Sequence, residues 1–159
     1  AASTLAIRMA RQVEARTELQ QLTQARMERI RAALHAFAAT QGRLPCPVAG
    51  ATSDDSPTGA GLAAPPKPLV PTCTAPNGTV PWVSLGIRSE DAQDAWGRKI
   101  SYRVFSDLVI DDGVKSASPT SGLAVNDGGA NRTGLAWVLI SHGVSGLGTK
   151  ADAVRSGSL

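Results

Sequence analysis

Ser141 and His142 are the residues whose types most directly suggest catalysis. A serine hydroxyl becomes a nucleophile when an imidazole accepts its proton and an acidic group orients that imidazole. The two residues are neighbours at the end of an apolar run, 134–141, that predicts a β-strand, so their side chains should point to opposite faces. The next segment, 143–147, has Leu147 where a nucleophile elbow requires glycine. The sequence therefore predicts a protein that is not an enzyme.

Two other patterns are similar to a phosphate-binding loop and a calcium-binding loop, but each lacks required residues. Residues 143–150 have the glycine spacing of a phosphate-binding loop, but Thr149-Lys150 stands where Lys-Ser or Lys-Thr is required. Five residues carry oxygen ligands suited to calcium: Asp111, Asp112, Asn126, Asp127 and Asp152. They lack the alternating spacing of a calcium-binding loop, and their turn-forming tendency is enough to explain them. We therefore expect neither a metal site nor a cofactor.

Cys46 and Cys73 are the two cysteines of the chain, and both lie in proline-rich sequence. A zinc site needs about four ligands, and only His35 and His142 could add to the pair. A disulfide is the simplest interpretation; it would close a loop of about 28 residues and stabilise the fold by about 3–4 kcal/mol. It also indicates an oxidising compartment such as the periplasm or the cell surface. Two free thiols in a cytosolic protein are the alternative.

Residues 1–42 are predicted to form one long helix that docks only its second half. Residues 2–41 contain no proline or glycine, and Gly42 followed by Pro45 is a typical helix end. Apolar residues recur at three- to five-residue steps in the second half, where they should pack on a sheet: Leu19, Leu22, Met27, Ile30, Leu34 and Phe37. Those of the first half are sparse and are not expected to form one face: Leu5, Ile7, Met9 and Val13. A helix of about 60 Å exceeds what so small a domain can cover, so the first half should project.

The remainder of the chain predicts a loop and then a small sheet. Residues 43–81 carry nine prolines, a density at which we expect no regular element. Strands are predicted at 99–105, weakly at 123–125, and at 134–141 in the centre of the sheet, with 107–110 as a continuation or a hairpin arm and a loop from His142 onward. The whole is predicted to be a single α+β domain, 1–159. It comprises a long helix (1–42), a loop with the candidate disulfide (43–81), and a small antiparallel sheet with loops (82–159).

Several segments, in the same order along the chain, resemble the type IV pilin and type II secretion pseudopilin family. Residues 94–102 (DAWGRKISY) are similar to the Asp-Pro-Trp-Gly stretch that leads into the first β-strand of major pseudopilins. Residues 139–148 (LISHGVSGLG) look like the strand and glycine-rich loop that follow. Residues 36–47 and 80–87 are similar to a proline- and cysteine-containing set of prepilin-like proteins. The family motif is thereby assigned to these positions: Asp94, Trp96, Gly97 and Tyr102.

The resemblance implies a structural subunit of a filament, a minor pilin or pseudopilin that assembles through its N-terminal helix with other subunits. It also implies an apolar N-terminal segment, cut by a prepilin peptidase and often methylated, that anchors the subunit in the inner membrane before assembly. This chain begins with Ala1 and lacks that segment, so we expect a processed or trimmed chain. Family members that bind calcium use an aspartate where this chain has Ser145, so no calcium site is expected.

A binding module is the alternative function. Residues 1–43 contain seven arginines and three glutamates, whereas the whole chain carries a net charge of only +3. An arginine-rich helix can contact nucleic acid, although a solvated helix surface has the same composition. A subunit at a pilus tip or in the periplasm could capture DNA or another surface ligand in this way.

Overall fold

The computed structural model describes residues 2–49, 60–118, 120–127, 129–145 and 153–157. Its helices are α1 (Ala2–Gln41), α2 (Trp82–Leu85) and α3 (Gly113–Ser116), with short 3₁₀ helices at Ser89–Ala92 and Ser106–Leu108. Its strands are β1 (Asn77–Thr79), β2 (Ser101–Val104), β3 (Leu123–Asp127), β4 (Ala130–Leu135), β5 (Trp137–Ser141) and β6 (Ala153–Gly157). The predicted α+β class is confirmed: a long N-terminal helix accompanies small antiparallel sheets.

Helix α1 runs unbroken over 40 residues and ends where the sequence predicts. Gly42 adopts a left-handed conformation with φ 67°, and its N–H donates to the carbonyl of Ala38 at 2.9 Å. Glycine takes this conformation without the steric cost that a Cβ would bring, so the helix can stop here. The Gly42 carbonyl then accepts from the N–H of Val114, which connects the helix end to α3.

Four strands form the main sheet in the order β1-β2-β5-β6, and every neighbouring pair is antiparallel. Alternation along β2 and β5 sends Tyr102, Val104, Trp137 and Leu139 to the inner face, where all four are buried in one core with the second half of α1. β5 lies between β2 and β6, a central position as predicted. Among the described residues, strands β3 and β4 pair only with each other and form a separate hairpin.

Three predictions about the strands are corrected by the structure. The segment 43–81 does contain a regular element: β1 is only three residues long and lies between Pro76 and Pro81, so the prolines flank it without interrupting its pairing. The predicted strand 134–141 is two strands, because the chain changes partner at Ala136: β4 pairs with β3, and β5 pairs with β2 and β6. Residues 107–110 form no hairpin arm: the first two lie in the 3₁₀ helix Ser106–Leu108, and the last two form a bend.

The C-terminal part also departs from the prediction. A loop was expected after His142, but β6 forms at Ala153–Gly157 and pairs with the whole of β5. The sequence of β6 has one strong strand former, so the ladder with β5 and not the local propensity determines the strand.

The predicted disulfide is confirmed. Cys46 and Cys73 are joined, with their Cα atoms 5.5 Å apart, and Cys46 is fully buried. Backbone hydrogen bonds hold the described part of this loop: the Ala64 N–H donates to the Pro47 carbonyl and the Thr74 N–H to the Ala64 carbonyl. The described part of the proline-rich segment is therefore held mainly by the disulfide and these backbone bonds, with β1 as its regular element.

Candidate functional site

Asp94, the first residue of the assigned family motif, is fully buried at the junction of two loops. Its Oδ1 accepts from the backbone N–H groups of Trp96 and Arg98, at 3.1 and 2.9 Å. Its Oδ2 accepts from the Ser141 hydroxyl and the Gly143 N–H, at 3.1 and 3.2 Å. One carboxylate thus closes the turn before β2 and holds the end of β5. Four donors satisfy a buried charge that would otherwise be costly.

The same junction is attached to α1 by main-chain contacts. The Arg26 guanidinium donates to the carbonyl of Asp94 at 3.0 Å, and the Thr23 hydroxyl accepts from the Ala95 N–H at 3.0 Å. Thr23 is the first buried residue of the helix among the described positions. Contact between α1 and the described residues that follow it, which we call the head, therefore begins at Asp94 and Ala95.

The other motif residues have separate roles. Gly97 is exposed with φ 78°, a conformation that the turn needs and that glycine adopts readily. Trp96 is half-buried. Tyr102 is buried and its hydroxyl donates to the carbonyl of Pro45 at 3.0 Å, next to the disulfide. Burial raises the pKa of Tyr102 well above its usual value, so this phenol stays protonated at physiological pH.

The second half of α1 is the docked half, which we define as residues 23–41. Met27, Ile30 and Leu34 are fully buried in the core, while Phe37 is half-buried. The Arg43 guanidinium lies 5.2 Å from the centroid of the Phe37 ring, a cation–π distance. Of the four residues predicted to pack on the sheet, three lie in the core and the fourth lies at its edge.

The first half of α1 forms an exposed arm, which we define as residues 3–22. All of it is exposed except the half-buried Leu19, and at about 1.5 Å per residue the arm is about 30 Å long. Its large apolar side chains Leu5, Ile7, Met9 and Val13 have exposures between 53% and 65%. Helices of globular proteins normally bury such residues, so the arm presents an uncovered surface.

The four apolar side chains of the arm do not form one face, as predicted, because Ile7 lies about 200° round the helix from both Leu5 and Met9; Leu5 and Met9 themselves do share a face. Leu5 precedes Thr23 by 18 residues, and Met9 precedes Met27 by the same interval. Eighteen residues make about five full turns, so Leu5 and Met9 point in the direction of the buried stripe. Val13 follows at the same four-residue step at the edge of this face. The stripe that packs on the core thus continues along the arm, interrupted by Arg16 and Gln20.

The seven arginines of residues 1–43 include four that bond to protein groups and three that lie on the arm. Arg26, Arg29 and Arg31 bind the carbonyl of Asp94, the carboxylate of Asp91 and that of Glu28, respectively. Arg43 is buried and donates to the carbonyl of Pro66. Three of the seven arginines, Arg8, Arg11 and Arg16, lie on the arm.

Asp91 forms a second attachment between the helix and the head. It is buried, and its carboxylate lies 2.7 Å from the Arg29 guanidinium and 3.2 Å from that of Arg88. Burial alone would raise the pKa of Asp91, but the hydrogen bonds and charges of Arg88 and Arg29 outweigh it and hold that pKa below its usual range. The carboxylate is therefore ionised at physiological pH.

The side chains of Ser141 and His142, the residues considered for catalysis, point in different directions, as expected for neighbours at the end of a strand. The Ser141 hydroxyl bonds Asp94 on the inner side, whereas the His142 Nε2 lies 2.7 Å from the Ser101 hydroxyl. The Ser101–His142 pair was missed because it depends on the register that places Ser101 opposite Ile140. Within the described residues no carboxylate contacts this imidazole, since both oxygens of Asp94 are bound elsewhere, so the pair lacks the acid of a triad.

The residues that were considered as calcium ligands and rejected lie in ion pairs and turns where the structure describes their side chains. Asp111 pairs with Lys67 at 3.0 Å and Asp112 with Lys115 at 3.2 Å, while Asn126 bonds Asn131. Asp152 and residues 146–150 of the glycine-rich segment lie outside the described residues. In the part of the chain that the structure describes, no group of three His, Cys, Asp or Glu side chains is placed to hold a metal.

None of the helices among the described residues is both long enough and apolar enough to cross a membrane. No protein-family model matches this chain, and comparisons with curated proteins and with solved structures find no significant match.

Proposed function

We propose that this chain is a structural subunit, a minor pilin or pseudopilin, that assembles into a type IV pilus or a secretion pseudopilus through its N-terminal helix. The observation that carries the proposal is the exposed arm of α1, which continues the apolar face of the docked half beyond the head. A helix that continues for about 30 Å with no packing partner among the described residues is suited to packing against the helices of other subunits.

The attachments at Asp94 and Asp91 support a mechanical role. They fix the helix to the sheet by Thr23, Arg26 and Arg29, at the point where the arm begins. A subunit in a filament must transmit force between its head and its helix, and buried hydrogen-bonded junctions resist such displacement. The arrangement therefore suits a head carried on a shared helical core.

The disulfide loop is the second surface that we propose for subunit contacts. Leu69 and Val70 are 91% and 61% exposed between Pro68 and Pro71. Large apolar side chains in an ordered loop are unfavourable in water and favourable in an interface. Such a loop can vary without disturbing the core, as expected of a subunit with a specialised contact.

An inner-membrane and periplasmic or cell-surface location follows from the proposal, with the disulfide as its support. The first test is to recover the native protein from membranes and from sheared surface material, and to determine its N-terminus and intact mass. An apolar stretch of about 20 residues ahead of Ala1, with a processed first residue, is expected. A native chain that begins near Ala1 and occurs only in the periplasmic fraction would overturn the proposal.

Capture of DNA at a filament tip is the alternative. Only Arg8, Arg11 and Arg16 lie on the exposed arm, and three guanidinium groups could contact only a few phosphates at once. Titration of the chain with duplex DNA at increasing salt tests this alternative. Binding that persists at physiological salt would favour capture over a purely structural role.

A further inference from the structure

A groove of about 480 Å³ lies on the outer face of the main sheet, between the sheet and the β3–β4 hairpin. The outer face carries the residues of β2 and β5 that alternate with the buried ones. Register places Ser101 beside Ile140 and Arg103 beside Val138. The groove therefore lies on the side of the sheet opposite to the core that contains α1.

The groove has an apolar floor and an apolar roof. Val138 and Ile140 of β5 form part of the floor, and Leu123 and Val125 of β3 line the opposite side. Leu123, Val125 and Ile140 are only partly buried, so their side chains retain surface for a ligand. Small-molecule sites typically occupy about 300–1,000 Å³ with mostly apolar walls and a few polar groups, and this groove has both properties.

Arg103 supplies the charge at this site. It is exposed, it lines the groove, and among the described residues it makes no ion pair or hydrogen bond. The other polar side chains of the lining, Asn77, Thr79 and Ser101, are neutral. A guanidinium with no partner among the described residues, beside an apolar slot, is complementary to a ligand with an apolar body and a carboxylate, which arginine can bind through two parallel hydrogen bonds.

The geometry of the sheet argues for a small ligand and against an added peptide strand. The edge of β1 is already used, because Thr79 exchanges two backbone hydrogen bonds with Val48. The groove extends over β1, β2 and β5, a width of about 10 Å at the usual strand spacing. We propose that it binds a medium-chain carboxylate, with its chain between β5 and β3 and its head at Arg103. This site is independent of the proposed filament role, so failure of either leaves the other standing.

Methyl-resolved NMR of the 159-residue chain tests the site, with sodium octanoate as the probe and octylammonium as its cationic counterpart. Octanoate should shift the methyl resonances of Leu123, Val125, Val138 and Ile140 in a saturable manner. Octylammonium should bind at least about tenfold more weakly, since a charge-assisted hydrogen bond is replaced by repulsion. Arg103→Gln should weaken octanoate binding by about tenfold or more, whereas the matched control Arg8→Gln on the arm should leave it unchanged.

Three results would overturn the proposal. The first is an absence of saturable shifts at these methyl groups up to millimolar octanoate. The second is equal binding of octanoate and octylammonium, or an unchanged affinity for octanoate in Arg103→Gln. Either result would show that Arg103 does not bind the carboxylate. The third is a response confined to Leu5, Met9 and Val13, which would place binding on the arm. Because Arg103 is exposed, Arg103→Gln is expected to fold, and its unperturbed core resonances provide the check.

Discussion

The two halves of α1 have similar compositions but different environments. The docked half buries Met27, Ile30 and Leu34 completely, whereas the arm leaves Leu5 and Met9 more than half exposed on the same side of the helix. Arg26 and Arg29 of the docked half also bond to the head, whereas the three arginines of the arm are exposed. The difference arises from the size of the head, which ends where Thr23 meets the loop that contains Asp94.

The two halves of α1 are stabilised as helix in different ways. Isolated helices of the arm's length are marginal in water, so the arm depends on strong helix formers and on propagation from the docked half. The docked half depends on burial and on specific bonds. Substitutions in the two halves should therefore affect different properties: stability in the docked half, and association in the arm.

The largest expected effect comes from truncating equivalent leucines in the two halves. Leu34→Ala should lower the free energy of unfolding by about 3–5 kcal/mol, because it removes a fully buried side chain and leaves a cavity. Leu5→Ala, the matched control, should change it by less than about 0.5 kcal/mol. Urea denaturation of both variants measures the difference. Equal losses would show that the arm is packed against the head in solution.

Removal of the disulfide should have the next largest effect. In the chain-entropy model the cross-link contributes about 3–4 kcal/mol, so Cys46→Ala/Cys73→Ala should lose about that amount, together with a smaller loss of packing at buried Cys46. Hydrogen exchange should become faster in the loop and in β1, which is bridged to Val48. Unchanged exchange in the arm would support its independence from the head, and faster exchange there would contradict it.

Asp94→Asn should destabilise the junction by about 2 kcal/mol, because an amide cannot accept from all four donors that the carboxylate now satisfies. Asp107→Asn, at an exposed position, is the control and should change the free energy of unfolding by less than about 0.5 kcal/mol. Thermal unfolding compares the two variants. A loss as small as that of the control would mean that the buried carboxylate does not stabilise the attachment of the helix.

The smallest effect is a pH dependence from Asp91. Its folded-state pKa is depressed, so its contribution is present above the unfolded pKa of about 3.9 and is lost as pH falls through the folded value. Between neutral pH and about pH 3, Asp91→Asn should therefore lose less stability than the unmodified chain. Urea midpoints measured over this range test the expectation. Parallel curves would show that Arg29 and Arg88 do not stabilise the carboxylate.

Local patterns in the sequence predicted the elements whose determinants are also local. The freedom of residues 2–41 from proline and glycine predicted α1, and Gly42 predicted its end. The alternation of Ser101, Tyr102 and Arg103 predicted β2, and the two cysteines predicted the disulfide. In each case neighbouring residues or covalent chemistry determine the structure.

The missed features depend on residues that are distant in the sequence. Strand β6 exists because β5 offers a free edge, and the bond between Ser101 and His142 exists because β2 and β5 pair in one register. The buried bonds of Asp94 likewise need the ends of two strands in one place. The spacing of 18 residues from Leu5 to Thr23 and from Met9 to Met27 indicates that Leu5 and Met9 share a face, so this feature could be predicted from the sequence alone.

Site-specific photo-crosslinking in cells that make the full native protein tests most directly whether the arm is an assembly surface. A benzophenone amino acid would replace Met9 on the apolar face or, as control, Arg11, which lies far round the helix from Met9. If the arm packs through its apolar face, position 9 should yield crosslinked dimers and higher oligomers of this subunit or its filament partners, and position 11 should yield far fewer. Equal crosslinking at both positions, or none at position 9, would contradict assembly through this face.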